Sequence, residues 1–277
     1  MIDPTRHRQL EELNIVSLCT RILQNARNEL YVNMRYLDIS LSSLGFEADP
    51  ACQGLGTDGF LIYYRPEALA GLYVRGRVAV NRAYLHMVLH CLFCHMDTRG
   101  RREPGLWNLA CDIAIESVID GLYLKCVHVP ASLFRRDWYG RLGRHLNVLN
   151  AEGVYRILGE MHLSQKQLAR LGEEFYVDDH QYWELPEDAP KNSMVRQNQW
   201  SDNRDRVQTE METMGNQQEE ESGSLLEQVQ VENRERYDYR SFLRKFSVLR
   251  EEMQVDRDFF DYVFYIYGLE LYGNMPL

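Results

Sequence analysis

The order of hydrophobic and polar positions divides the chain into a helical first part, a long polar stretch and an aromatic end. Between residues 5 and 38, Leu10, Leu13, Ile15, Leu18, Ile22 and Leu23 recur at helix-like intervals, and Leu30, Tyr31, Met34 and Leu37 continue the pattern. Gly54-Leu55-Gly56-Thr57-Asp58-Gly59 reads as a turn. It is not a phosphate-binding loop, because no Lys-Ser or Lys-Thr pair follows it. Phe60 to Tyr64 predicts a strand stopped by Pro66, and Glu67 to Tyr73 a short helix. Asn81 is a candidate N-cap for an apolar helix running from Tyr84 to His95. After a basic turn at Gly100 to Gly105, Trp107 to Gly121 predicts a second apolar helix. Val127 to Pro130 reads as a loop. Helices are predicted over Leu146 to Leu158 and Ser164 to Glu174, the latter opened by Ser164 with Gln167 three residues on. From Glu184 to about Arg236 apolar residues are sparse, so the pattern predicts a mobile connector or a solvated helix broken near Gly215. Tyr237 to Phe246 is amphipathic, and Phe259 to Leu277 is strongly aromatic.

The first apolar helix carries His86 and His90. Residues four apart lie one above the other on a helix, so the two imidazoles can share one metal ion. This is the spacing of the H-E-x-x-H zinc helix, in which the glutamate after the first histidine is the general base. Here that position is Met87, whose thioether cannot accept a proton from a metal-bound water. The second helix carries Asp112, Glu116 and Asp120 at i, i+4 and i+8, a like-charged stripe that an isolated helix gains nothing from. Either the stripe faces water or a basic neighbour such as Arg101 or Arg102, or Asp112 and Glu116 complete a metal site with the histidines. In the second case zinc is the expected ion, and Glu116 or Asp112 would have to act as base for any hydrolysis. Asp179 and His180 sit in a further cluster, Asp178-Asp179-His180 with Tyr182 and Trp183, where His180 is either a ligand or a histidine held by Asp179. Competing readings make Cys94 a third ligand on the histidine stripe, treat Cys91-Leu92-Phe93-Cys94-His95 as a haem-attachment pattern, or leave the histidines as core residues of a metal-free scaffold.

Composition narrows the class. The chain has 277 residues, 45% hydrophobic and 26% charged, as in an ordinary globular protein. A net charge of −10 argues against nucleic acid and anionic membranes as partners. No apolar run reaches the length of a membrane span, and no apolar signal core follows the N-terminus, so a cytoplasmic protein is expected. The six cysteines sit mostly in apolar contexts and read as buried thiols.

Four patches then resemble a known family: Thr57-Asp58-Gly59 with the Tyr63-Tyr64 strand, the helix from His86 to His95, Trp107-Asn108-Leu109-Ala110-Cys111-Asp112 through Glu116, and Asp178-Asp179-His180 with Trp183. The chain is similar to the N-terminal region of bacterial metallopeptidase-like proteins that end in a von Willebrand factor A-like domain and are associated with MoxR-type AAA+ ATPases. The resemblance implies metal-ligand roles for His86 and His90, a strand beside the histidine helix, and partnership with such an ATPase and an A-like domain; it does not supply a substrate, and a protein substrate is an open expectation. Tyr267 to Leu277 looks like the segment leading into that domain, which would make this chain the front part of a longer protein or one half of a split one. The family's catalytic glutamate has no counterpart, since Met87 stands in its place.

Together these readings predict an α+β fold, predominantly helical, with a zincin-like helix pair and a small β-sheet over residues 1–185. A partly disordered polar connector is expected over 186–236 and a C-terminal segment over 237–277. Zinc is expected on His86, His90 and Asp112, with Glu116 in the catalytic position and Asp179 and His180 nearby. The expected function is a metal-binding module with weak or no peptidase activity; the alternative is a metal-free interaction scaffold.

Overall fold

The computed structural model describes residues 4–184, 190–214 and 223–234, with side chains described from residue 13 onward. Its first helix, α1 (Pro4–Asn33), turns Cys19, Ile22, Leu23, Ala26 and Leu30 inward at i, i+3, i+4 and i+7 spacing; of the residues read from the sequence as its apolar pattern, Ile22, Leu23 and Leu30 are buried, whereas Leu13, Ile15, Leu18 and Tyr31 are exposed. A single 3₁₀ turn (Arg35–Leu37) and the short helix α2 (Asp38–Ser42) lead into a three-stranded sheet. Strand β1 (Gly45–Ala48) runs parallel to the central β3 (Leu61–Tyr64), with Gly45 opposite Leu61. Strand β2 (Leu55–Thr57) pairs antiparallel on the other side of β3, with Leu55 opposite Tyr64.

Only β3 was legible as a strand. Strands β1 and β2 are short and carry glycine, and β2 lies inside the stretch whose glycines read as turn. The turn itself is Asp58-Gly59-Phe60: Asp58 Oδ1 accepts from the N–H groups of Phe60 and Leu61, both at 2.8 Å, and Gly59 takes φ +88°. Pro66 ends the strand and also opens α3 (Pro66–Arg75), since its fixed φ and missing N–H suit the first helical position.

Helix α4 (Arg77–Leu92) carries the two histidines. Its N-cap is Gly76, not Asn81, which lies a turn inside the helix and donates from Nδ2 to the Cys126 carbonyl at 3.0 Å. Nor does the helix continue to His95. Cys94 adopts the left-handed conformation (φ 55°) and breaks it, and His95 begins the short α5 (His95–Thr98). Helix α6 (Pro104–Asp120) is capped by Glu103, whose carboxylate accepts from Gly105 N and Leu106 N. Arg82 meets Asp120, His86 meets Glu116 and His90 meets Asp112, so α4 and α6 run antiparallel.

A second core lies on the far side of α6. Leu109, Ala110 and Ile113 pack there against Trp138 and Leu142 of α7 (Leu133–Leu142), Val154 and Ile157 of α8 (Ala151–Glu160), and Leu171 and Phe175 of α9 (Gln165–Phe175). The Ser164–Gln167 capping box at the start of α9 is present. The fold is therefore α+β and predominantly helical.

Beyond residue 185, where the sequence is polar, the structure holds α10 (Pro190–Met214) and a helix over 223–234. Residues up to Asn233 belong to the same compact unit as the rest. Few residues anchor this part. Trp200 is buried and donates from Nε1 to the Gly59 carbonyl at 2.8 Å, and Val207, Leu225 and Val229 join the main core. Arg196, 2% exposed, forks onto Asp97 and also donates to the Asp58 carbonyl at 2.8 Å. The polar composition hides the packing of this part, since buried polar residues such as Arg196, Asn203 and Arg204 stand beside its few apolar ones. The amphipathic and aromatic segments predicted over 237–277 lie outside the described residues.

Trp200→Ala removes a fully buried ring and leaves the Gly59 carbonyl without its donor. It is expected to lower unfolding free energy by about 3–5 kcal/mol in urea titrations, whereas Met194→Ala on the exposed side of α10 should stay within about 0.5 kcal/mol of wild type.

Candidate metal centre

Three parts of the fold deliver side chains to one point. Helix α4 stacks His86 over His90 so that their Nε2 atoms are 2.8 Å apart. Helix α6 brings Asp112, whose Oδ1 lies 3.4 Å from His86 Nε2 and 3.3 Å from His90 Nε2. The segment after α9 brings Asp178, with Oδ1 at 3.3 and 3.6 Å from the same nitrogens, and His180, whose Nε2 lies 3.1 Å from both Asp112 Oδ1 and Asp178 Oδ1. His86, His90 and Asp178 are fully buried; Asp112 and His180 are 7% and 9% exposed.

The two Nε2 atoms of His86 and His90 are within hydrogen-bond reach, whereas the contacts of the Asp112 and Asp178 carboxylates with the imidazoles are close but not aligned as hydrogen bonds. Asp112 Oδ1, both Asp178 oxygens and His180 Nε2 are buried atoms with no hydrogen-bond partner. Stranding ionised oxygens in an interior is costly unless a positive charge compensates them. The donors aim at a shared centre instead of at one another. Ligands about 2.0–2.1 Å from one ion in a tetrahedral array stand about 3.3–3.5 Å apart, and the separations here, 2.8 to 3.6 Å, bracket that range. His86, His90, Asp112 and Asp178 form the group with ligand atoms within 4.8 Å of one another, and His180 sits against both of its carboxylates. Three imidazoles and two carboxylates, with no thiolate among them, fit a divalent ion of borderline hardness.

The ring nitrogens facing away from the centre are also held. His86 Nδ1 is 2.9 Å from Glu116 Oε1. The other Glu116 oxygen takes Arg82 Nη2 at 2.5 Å and Arg135 Nη1. Asp120 bridges the same two arginines and accepts from Tyr139 Oη at 2.8 Å. His90 Nδ1 lies 3.1 Å from His95 Nδ1, and Trp107 Nε1 fixes the His95 carbonyl at 3.0 Å. Partners of this kind set which nitrogen of a ligating histidine carries the proton.

The charges follow from the geometry. Burial opposes protonation of His180, but the Asp112 and Asp178 carboxylates outweigh it and raise the ring to about 10. His86 is shifted upward in the same way, burial being outweighed by its bonds to Asp112, Asp178 and Glu116. Burial pulls His90 down to about 4 and holds His95 well below the ordinary value. Burial would raise all three carboxylates. The histidines instead keep Asp112 and Asp178 well below the usual range, and His86 with the two arginines does the same for Glu116.

Of the residues singled out from the sequence, His86, His90, Asp112 and His180 converge. Glu116 stands behind His86, with both oxygens engaged. Asp179 points elsewhere: Oδ1 accepts from Gln181 N at 3.1 Å and Oδ2 from Gln53 N at 3.2 Å. Its neighbour Asp178 is the donor that sequence reasoning passed over. The signal was present, because in an extended segment residues two apart face the same way, so Asp178 and His180 pair while Asp179 faces opposite. The basic partners of the acidic stripe are Arg82 and Arg135, in place of Arg101 and Arg102. Met87 is buried in the main core, and Cys91 and Cys94 are buried outside the donor group.

A family model described as "Putative metallopeptidase domain" matches residues 19–253, and the chain belongs to that family. Neither a curated protein nor a solved structure matches it. Among the described residues no helix is long and apolar enough to cross a membrane.

The charge pattern predicts a pH profile for chelator-treated protein. His180, raised from 6.5 to about 10, contributes stability that is full below pH 6.5 and lost as pH rises toward 10. His90, lowered from 6.5 to about 4, opposes the fold as pH falls from 6.5 toward 4. Melting temperature without metal should therefore peak near pH 6.5 and fall on both sides. Excess zinc should flatten the alkaline side, because the ion replaces the protons on His86 and His180. An unchanged alkaline slope in zinc would contradict the assignment.

Proposed function

We propose that this chain is a zincin-like metal-binding module in which a zinc ion is held by His86, His90, Asp112, Asp178 and His180, and which has little or no peptidase turnover. The observation that carries the metal is the set of orphaned carboxylate and imidazole atoms at one buried point. Zinc suits the mixture of imidazole and carboxylate donors. When bound, such an ion supplies a Lewis acid able to lower the pKa of a coordinated water.

The weak or absent turnover is supported by what surrounds the donors. Position 87 offers a thioether turned into the apolar core. Glu116, the substitute base that the sequence suggests, is committed to His86, Arg82 and Arg135. Its depressed pKa makes it a poor proton acceptor near neutrality. Its role in this reading is to orient His86. The family resemblance supports a place beside a MoxR-type AAA+ ATPase and a von Willebrand factor A-like domain. The burial of all six cysteines, none of them in a disulfide, agrees with a reducing, cytoplasmic setting.

Purified protein should contain stoichiometric zinc, lost in His86→Ala and His90→Ala. Metal-free protein whose stability ignores chelators would leave the scaffold alternative standing. Glu116→Gln should keep zinc but weaken its affinity by about 10- to 100-fold, the usual effect of losing an outer partner. If wild type cleaves unfolded protein substrates and Glu116→Gln abolishes cleavage at saturating zinc, the module is an active hydrolase and Glu116 its base. Co-purification with a MoxR-type ATPase tests the assembly.

A further inference from the structure

Two of the five donors are delivered differently from the others. His86, His90 and Asp112 stand on the packed pair α4 and α6, whereas Asp178 and His180 stand on the segment 176–184, laid along the outer edge of β2. Asp179 N donates to the Leu55 carbonyl at 2.6 Å, a bond that β2 would otherwise offer to another strand. Tyr182 stacks on Tyr63 at 4.2 Å and donates to Asp49 at 2.6 Å, and Arg99 pairs with Glu184. Gly56 permits the approach: a Cβ there would lie 2.5 Å from the Asp179 carbonyl oxygen and 2.8 Å from the Tyr182 ring. Tyr176 and Val177, at the start of the segment, form a wall of a cleft of about 820 Å³ that reaches Arg82 and Arg135, which leaves open space on that side.

We propose that residues 176–184 are a strap pinned by the metal ion, closing the centre and covering the β2 edge while Asp178 and His180 are engaged, and lifting when those two donors let go. The inference rests on the metal-binding reading above. The pin is needed because Asp178 is fully buried with both oxygens unpartnered, so holding the strap down without a cation is unfavourable. The strap's other anchors are the bonds of Asp179, Tyr182 and Glu184 on its outer side and Trp183, which is buried against Trp107, Cys111, Ala114 and Ala151. Lifting leaves His86, His90 and Asp112, three protein ligands, the number found around an ion that keeps a position open. It also frees the Leu55 carbonyl and the β2 edge, a surface of the kind that takes an extended polypeptide as an added strand.

Hydrogen exchange on the full chain, with zinc content measured in parallel, tests this. Removing zinc should lower protection within 176–184 by on the order of tenfold or more, while α4 and α6 keep theirs. In zinc-loaded His180→Ala and Asp178→Asn the strap should be deprotected although zinc remains on the other donors. Tyr182→Phe, which removes only the outer hydrogen bond, should preserve the zinc dependence. Equal protection of 176–184 with and without bound zinc overturns the strap and leaves the metal site intact. Uniform loss of protection through α4 and α6 on zinc removal also overturns it, since the ion would then hold the whole fold. Failure of wild type to take up zinc removes the metal-binding reading and the strap with it.

Discussion

Two carboxylates, Asp112 and Asp178, are brought together in a buried space, and the architecture around them follows from that juxtaposition. Like charges in a low-dielectric interior demand compensation. The chain supplies it in layers. Imidazoles of His86, His90 and His180 surround the pair; Glu116 sits behind His86; Arg82 and Arg135 neutralise Glu116; Asp120 and Tyr139 complete the outer ring. The sign alternates from the centre outward until the network reaches the wall of the cleft. Each layer is held by a packed helix, which is why α4 and α6 are apolar almost throughout and spend their few polar positions on this network.

That arrangement explains how much could be read from the sequence. The i, i+4 histidine pair and the acidic stripe of α6 are local patterns, and local patterns fix which residues share a face. The antiparallel packing of two consecutive apolar helices then brings the faces together. The identity of the partner across each face is a tertiary matter. Nothing in the spacing of Asp112, Glu116 and Asp120 says that the first enters the centre while the other two meet Arg82 and Arg135. The choice between Asp178 and Asp179 turns on reading the i, i+2 spacing of Asp178 and His180 as that of an extended segment. Short strands escaped for a similar reason: β1 and β2 hold together by pairing with β3, with little intrinsic preference of their own. A helix over 190–214 is one of two readings of the polar stretch, but its burial is not legible, because Arg196, Asn203 and Arg204 are buried beside Trp200 and Val207 where a hydrophobic stripe would be expected.

The substitution at position 87 has a structural counterpart. In an H-E-x-x-H helix the residue after the first histidine is the base, yet Met87 is fully buried among apolar neighbours. A carboxylate could not be restored there by a simple side-chain exchange without desolvating a charge in the core. The thioether packs as one more apolar side chain of the main core.

The wide sequence separation of the donors bears on how the chain reaches its native state. Long-range contacts form only after the entropy of closing the intervening loops has been met. Helices α4 and α6 can meet early, but the last two donors must wait until the helices of the second core, α7 to α9, have folded and carried the chain back to β2. The five side chains therefore converge only where the α4–α6 pair and the return of the chain to β2 are both in place.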